Sequence, residues 1–199
     1  INTWTRDEGE GLNGMAHFIE HTLLKGTTRR KAYYILTCLE SVGGELNAFT
    51  TKEETCIFAT VLKEHFQRAM ELISDIVLHP TFPEKELKKE KDVILDEINS
   101  IKDSPSEEIY DILEENIFKG HDLSKHILGN PEHIVKFSRE DVIRFTEDHY
   151  TAGKMVVCTV GDIGFRKVSR LAAKYFEEAR PDRKVKERIP YQSYRKFNL

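Results

Sequence analysis

Apolar residues recur along this chain with two periods, and the switches between them mark the elements. From Met15 to Lys25, the residues Met15, Ile19 and Leu23 fall on one side of a helix, with Gly26 placed as its C-terminal cap. A second helical stripe, Ala32, Ile35, Leu36, Leu39 and Val42, stops at Gly43-Gly44. The period then shortens. "ELNAFT" and "TCIFATVL" are rich in β-branched and aromatic residues, and the charged "TKEE" between them predicts a hairpin. Helical spacing returns in "EHFQRAMELISDIVL", which ends before Pro80. It continues in the charged run "PEKELKKEKDVILDEINSIKDS", opened by Pro83 and closed before Pro105. Three more helices are predicted at "SEEIYDILEENIF", "SREDVIRFTEDHY" and the amphipathic "FRKVSRLAAKYFEEA". "INTWT" reads as a strand fragment and "KMVVCTVGD" as a buried strand, while the tail after Pro181 is basic and aromatic without periodicity. Helices interleaved with a few strands predict an α+β fold, a mixed, largely antiparallel sheet covered by helices. A length of 199 residues favours one domain over 1–199; a two-domain arrangement would need a linker, for which only Gly120 to Pro131 qualifies.

Two features break the apolar pattern. In "HFIEH", His17 and His21 stand four apart, hence stacked on one helical face, with Glu20 within a turn of both. Neutral imidazoles at this spacing can share a zinc ion, and a neighbouring carboxylate can act on a water. The order His-x-x-Glu-His is the inverse of the commoner zinc-peptidase arrangement and is itself a peptidase signature. Histidine pairs on helices are also often structural or solvated, so five residues leave both readings open.

The second break lies in the long charged helix. Leu87, Ile94 and Ile101 repeat every seven residues, and Glu90 and Glu97 occupy the other position of the same stripe. A carboxylate buried without a partner is costly, so such groups are normally paired or bound to metal. The competing reading is a helix at the sheet's edge whose glutamates reach water. Beside two histidines that lack a third ligand, a shared catalytic-type site of three protein ligands and an open position is favoured.

The runs "GLNGMAHFIEHTLLKGTTRR", "ESVGGELNAFTTKEETC" and "KEKDVILDEI" together resemble the pitrilysin/insulinase family of inverted zinc peptidases, in particular its processing-peptidase-like members. "ILGNPEHIVKFSREDVIRFTEDHY" and "MVVCTVGDI" extend the resemblance over nearly the whole chain. It implies a zinc metalloendopeptidase domain, the N-terminal half of such an enzyme, hydrolysing extended, unfolded peptides through a metal-activated water. By position, the resemblance implies His17, His21 and Glu97 as ligands of Zn2+, Glu20 as general base, and Glu90 as an acidic residue supporting the ligands. "ELNAFT" resembles the edge strand onto which family substrates add, which puts Asn47 and Ala48 against the peptide. Some members of the fold are non-proteolytic, structural or peptide-binding subunits. Such relatives typically lose part of the ligand-and-base set, which is intact here. The sequence departs from the family in two ways. It keeps only "WTRDEGEG" of a longer N-terminal strand and turn. It also ends after one half, so the arginine–tyrosine pair that the family's second half contributes must come from a second half, a partner chain or a second copy.

Composition narrows the picture further. The formal net charge of −4 argues against nucleic acid or an anionic membrane surface as partner, and no run approaches the roughly 20 apolar residues of a membrane span. Cys38, Cys56 and Cys158 form no close pair, which predicts reduced thiols in the cytoplasm or another reducing compartment, such as the mitochondrial matrix in a eukaryote. His121, His126, His133 and His149 lie near turns or helix ends and read as surface or capping groups.

Overall fold

A computed structural model describes residues 1–3 and 5–182. The basic tail beyond 182 lies outside the described residues. The chain folds as an α+β structure built around a short apolar helix. This is α1 (Met15–Leu23), in which Met15 to Ile19, Thr22 and Leu23 are all buried. Around it lie α2 (Ala32–Glu40), the hairpin of β1 (Glu45–Thr50) and β2 (Thr55–Thr60), α3 (Phe66–Leu78), α4 (Glu84–Lys102) and α5 (Pro105–Ile117). The short α6 (Pro131–Ile134), then α7 (Arg139–His149) and α8 (Phe165–Tyr175), complete the fold. Helix α1 touches α4, α7 and both strands, so one core of Met15, Phe18, Ile19, Leu23, Ile35, Leu39, Leu72, Ile76, Ile94 and Val142 unites the elements.

Local chemistry explains the boundaries. Pro83 caps α4 and Pro105 opens α5. Ser138 and Asp141 form a reciprocal capping box at the start of α7. In the hairpin, Glu45 to Thr50 pair antiparallel with Thr60 to Thr55, and the Thr51 hydroxyl accepts the N–H groups of Glu53 and Glu54 to close the turn.

The structure corrects several sequence expectations. Helix α1 is capped at Leu24, not Gly26, which instead pairs with Lys31 in an isolated bridge. The turn that follows is tied down by charge. Thr27 and Arg30 both bind the fully buried Asp75, and Arg30 also grips Glu71. Leu36, assigned to the inner stripe of α2, is exposed, whereas Ile35 and Leu39 carry the burial. The sheet is smaller than expected, a two-stranded hairpin among the described residues. "KMVVCTVGD" is not a buried strand: Val156 and Val160 are 84% and 95% exposed. Among the described residues a slot of about 820 Å³ separates this segment from β2, lined by Ala69, Met70, Ile73 and Val77 of α3. Ile1 and Asn2 bridge it. Ile1 exchanges two backbone hydrogen bonds with Thr55 (2.7 and 3.0 Å), and Asn2 N–H donates to Lys154 O at 2.7 Å. "INTWT" thus supplies one bridging rung in place of a strand, and Thr5–Asp7 forms a 3-10 turn.

Gly120 to Pro131, weighed as a linker, is partly anchored to α1. The Asn13 side chain donates to His126 O, and Asn130 N–H to Asn13 O. At the contact Gly14 has φ 98°, and a Cβ there would sit 2.8 Å from Leu128 O and Gly129 Cα. Gly129, also at positive φ, would drive a Cβ into Gly14. Gly129→Ala is therefore expected to destabilise the fold by about 2 kcal/mol or more, read as a lower urea midpoint at unchanged slope.

Candidate metal centre

Helices α1 and α4 cross so that their polar exceptions meet. His17, His21 and Glu97 each offer a ligand atom, and those atoms all lie within 4.8 Å of one another. His17 Nε2 is 3.9 Å and His21 Nε2 3.6 Å from Glu97 Oε2. The two imidazoles meet edge-on, with ring centroids 4.6 Å apart. Among the described residues this is the one His/Cys/Asp/Glu cluster with such convergence.

The surroundings prepare these donors differently. Burial, reinforced by the neighbouring His21, pulls His17 down to about 3, so its ring is neutral at physiological pH, the form that can ligate. Its Nδ1 is buried without a hydrogen-bond partner. His21 Nδ1 faces Glu90 Oε2 at 3.2 Å. A carboxylate oxygen can only accept, so Nδ1 is the donor of this bond, and Nε2 is the nitrogen that faces Glu97. Lys25 Nζ holds the other oxygen of Glu90 at 2.7 Å. Glu90 is thus buried but fully engaged, whereas the Glu97 side chain is 40% exposed and faces the two rings. A dication would find two imidazole nitrogens and one carboxylate here, a donor set that suits zinc.

Glu20 lies half-buried on α1. Burial raises its carboxyl above the usual range; a hydrogen bond from the Thr50 hydroxyl and the neighbouring His21 pull it back, and Glu97 adds to the rise. Thr50 ends β1, so the carboxylate is linked to the strand on which Asn47 and Ala48 lie. Both of those positions are on a strand whose second edge is unpaired among the described residues.

Sequence reasoning passed over three neighbours. Lys25 stands four residues after His21, a spacing that could have revealed it as the partner of Glu90. Tyr150 is 1% exposed. Burial and the nearby Glu20 push its hydroxyl well above the ordinary tyrosine range. No local pattern marks it, because it arrives from the far end of α7. Glu8, just after the first 3-10 turn, is likewise buried, against the N-terminus of α1. Of the four histidines set aside as surface or capping groups, His121 accepts the Leu123 N–H as a cap. His126 faces Asp111, and His149 accepts from Lys154 Nζ. His133 Nδ1 is buried without a partner.

Comparison with known proteins places the chain in a family. The family described as "Insulinase (Peptidase family M16)" matches residues 1–131, and "Peptidase M16 inactive domain" matches residues 136–198. An uncharacterized zinc protease of Bacillus subtilis is 38% identical over 82% of this chain and 40% of its own length. The mitochondrial-processing peptidase subunit beta of Caenorhabditis elegans is 33% identical over 96% of this chain and 42% of its own. The crystal structure of a protease from Helicobacter pylori superposes with a TM-score of 0.87 at 25% identity, over 96% of this chain and 46% of that one. The periplasmic protease PqqL of Escherichia coli shares the fold, with a TM-score of 0.86 at 21% identity.

This chain belongs to the insulinase family of peptidases, family M16. Its relatives include proteins named zinc proteases, and it spans well under half the length of those described here.

Loss of the Glu90 carboxylate frees the His21 ring and leaves the Lys25 ammonium beside it. Glu90→Ala is expected to weaken zinc binding about 10–100-fold, measured by competition with a chromogenic chelator.

Proposed function

We propose that this chain carries the metal-binding half of a zinc-dependent endopeptidase that cleaves extended, unfolded peptides. The observation that carries the reading is the convergence of His17 Nε2, His21 Nε2 and a Glu97 oxygen from two separate helices. These three residues hold Zn2+, and Glu90 fixes the ring of His21. A zinc ion bound there would acidify a water and polarise the peptide carbonyl. Glu20 takes the proton of the attacking water and returns it to the leaving nitrogen. Its carboxyl, already raised by burial, is better matched to proton transfer near neutral pH than a solvated glutamate would be.

The substrate lies as an added strand along β1, beside Asn47 and Ala48. Backbone hydrogen bonds then supply most of the grip and side chains only bias the choice of sequence. The unpaired second edge of β1 and the link from Thr50 to Glu20 support this placement. Residues 1–199 act as one such domain. A second family half, a partner chain or a second copy encloses the peptide from the other side, as the short coverage of the relatives supports. The three free cysteines fit a reducing compartment, the cytoplasm or the mitochondrial matrix. No helix among the described residues is long and apolar enough to cross a membrane.

The test pairs metal analysis with cleavage of a quenched fluorescent peptide, with and without chelator, for this chain alone and joined to its complementary half. Glu20→Gln is expected to bind one equivalent of zinc as the parent does, yet to lose about 10²–10⁴-fold in cleavage rate. Normal turnover by that variant would remove Glu20 from the role of base. A parent that binds no zinc would overturn the metalloprotease reading altogether.

A further inference from the structure

The N-terminus of α1 has no side-chain cap of its own, since its N-cap is Gly14. The missing acceptor comes from upstream. Glu8 Oε2 accepts from Gly14 N–H at 3.0 Å and from Asn13 Nδ2 at 3.2 Å, and Glu8 Oε1 accepts from Ala16 N–H at 2.9 Å. The Glu8 carbonyl in turn accepts from Lys125 Nζ at 2.9 Å. Glu8 is 4% exposed, so water cannot replace these bonds. We propose that Glu8 is a positioning residue for the metal helix: its carboxylate, clamped to the amides of Gly14 and Ala16, sets the height and roll of α1 and so the place of the His17 ring. The proposal rests on the zinc-peptidase reading above and adds to it a residue that touches neither metal nor substrate.

The magnitudes favour a directional anchor over general packing. A ring nitrogen stands well off the helix axis, so a roll of roughly 10° moves it by about 1 Å. Metal–ligand distances tolerate only about 0.2 Å. The apolar contacts of Met15, Phe18, Ile19 and Leu23 hold α1 in the core, but dispersion contacts are individually weak and resist a small roll poorly. Hydrogen bonds to two amides of the first turn resist it directly, and the second of those amides immediately precedes His17. A carboxylate there also complements the positive end of the helix. Burial pushes the Glu8 carboxyl up to about 7, while the bonds from Ala16, Gly14 and Asn13 and the charge of Lys125 oppose the rise.

The test uses Glu8→Gln, which keeps the size of the side chain but turns an amide NH2 toward one of the two N–H donors. Zinc affinity is measured by chelator competition well below the melting temperature, together with the visible spectrum of the Co2+-loaded chain and the melting temperature of the metal-free chain. Leu171→Ala, which opens the core beneath α8, a helix packed on α3, serves as the purely structural control. Glu8→Gln is expected to lose about tenfold in zinc affinity and to alter the Co2+ bands, whereas Leu171→Ala lowers the melting temperature with affinity and bands unchanged. Parental affinity and bands in Glu8→Gln would overturn the proposal, as would an equal loss in Leu171→Ala. Should Glu8→Gln fail to fold, Asn13→Ala decides: it releases one of the three donors, and a loss of zinc affinity is expected where none would refute. A parent chain without zinc affinity sinks both this proposal and the peptidase reading. Zinc binding that ignores Glu8 sinks only this one.

Discussion

The structure depends on a nine-residue helix that has almost no surface. An isolated helix of that length is unstable in water, so α1 exists only because α4, α7 and the hairpin enclose it. That enclosure puts two imidazoles in the interior. Burial disfavours the charged form of His17 and leaves it a neutral ring needing a partner. The crossing helix α4 answers with two carboxylates at the same level. Stability and chemistry therefore draw on the same contact, and neither helix could be made uniformly apolar without losing the cluster.

Much of this was legible in the sequence because it is periodic. Seven of the eight helices follow from 3.6-residue spacing and from proline punctuation at positions 83 and 105, the four-residue α6 being too short to show a period, and the hairpin follows from the change of period at Glu45. Glu90 and Glu97 stood out as carboxylates on an apolar stripe, and the structure indeed buries Glu90 beside Leu87 and Ile94. The stripe was off in one detail: Ile98, not Ile101, fills the last buried turn. The sheet was harder to read. Whether "KMVVCTVGD" forms a strand depends on a neighbour to pair with, and periodicity carries no information about neighbours.

The slot beside β2 shows that dependence directly. Ile1 forms backbone hydrogen bonds with Thr55 on one side, and Asn2 with Lys154 on the other. One rung of pairing is present on both flanks, and beyond it the valines of 156–160 stand in the open. Among the described residues an apolar run with strong β propensity thus pairs with only one rung and is otherwise irregular, as expected if pairing and not propensity makes a strand. The residues that surround the centre without ligating it were hidden for a related reason. Tyr150 and Glu8 reach α1 from opposite ends of the chain, through contacts that have no sequence period.

Four glutamates around α1 show how environment divides one side-chain type among several tasks. Glu8 is spent on backbone amides at the helix start, and Glu90 on Lys25 and His21. Neither keeps a free carboxylate oxygen for an incoming cation. Glu97 does: its side chain is partly open to solvent, and the groups it faces are two imidazoles, of which burial keeps His17 neutral. A negative charge so placed is under-compensated, and a dication is the partner that relieves it best, since it can also take both nitrogen lone pairs. Glu20 differs again, being raised by burial and by Glu97 while tethered through Thr50. Binding a dication at Glu97 would cancel the charge that helps raise Glu20. The carboxyl of Glu20 should then fall with a dication in place, favouring its ionised form.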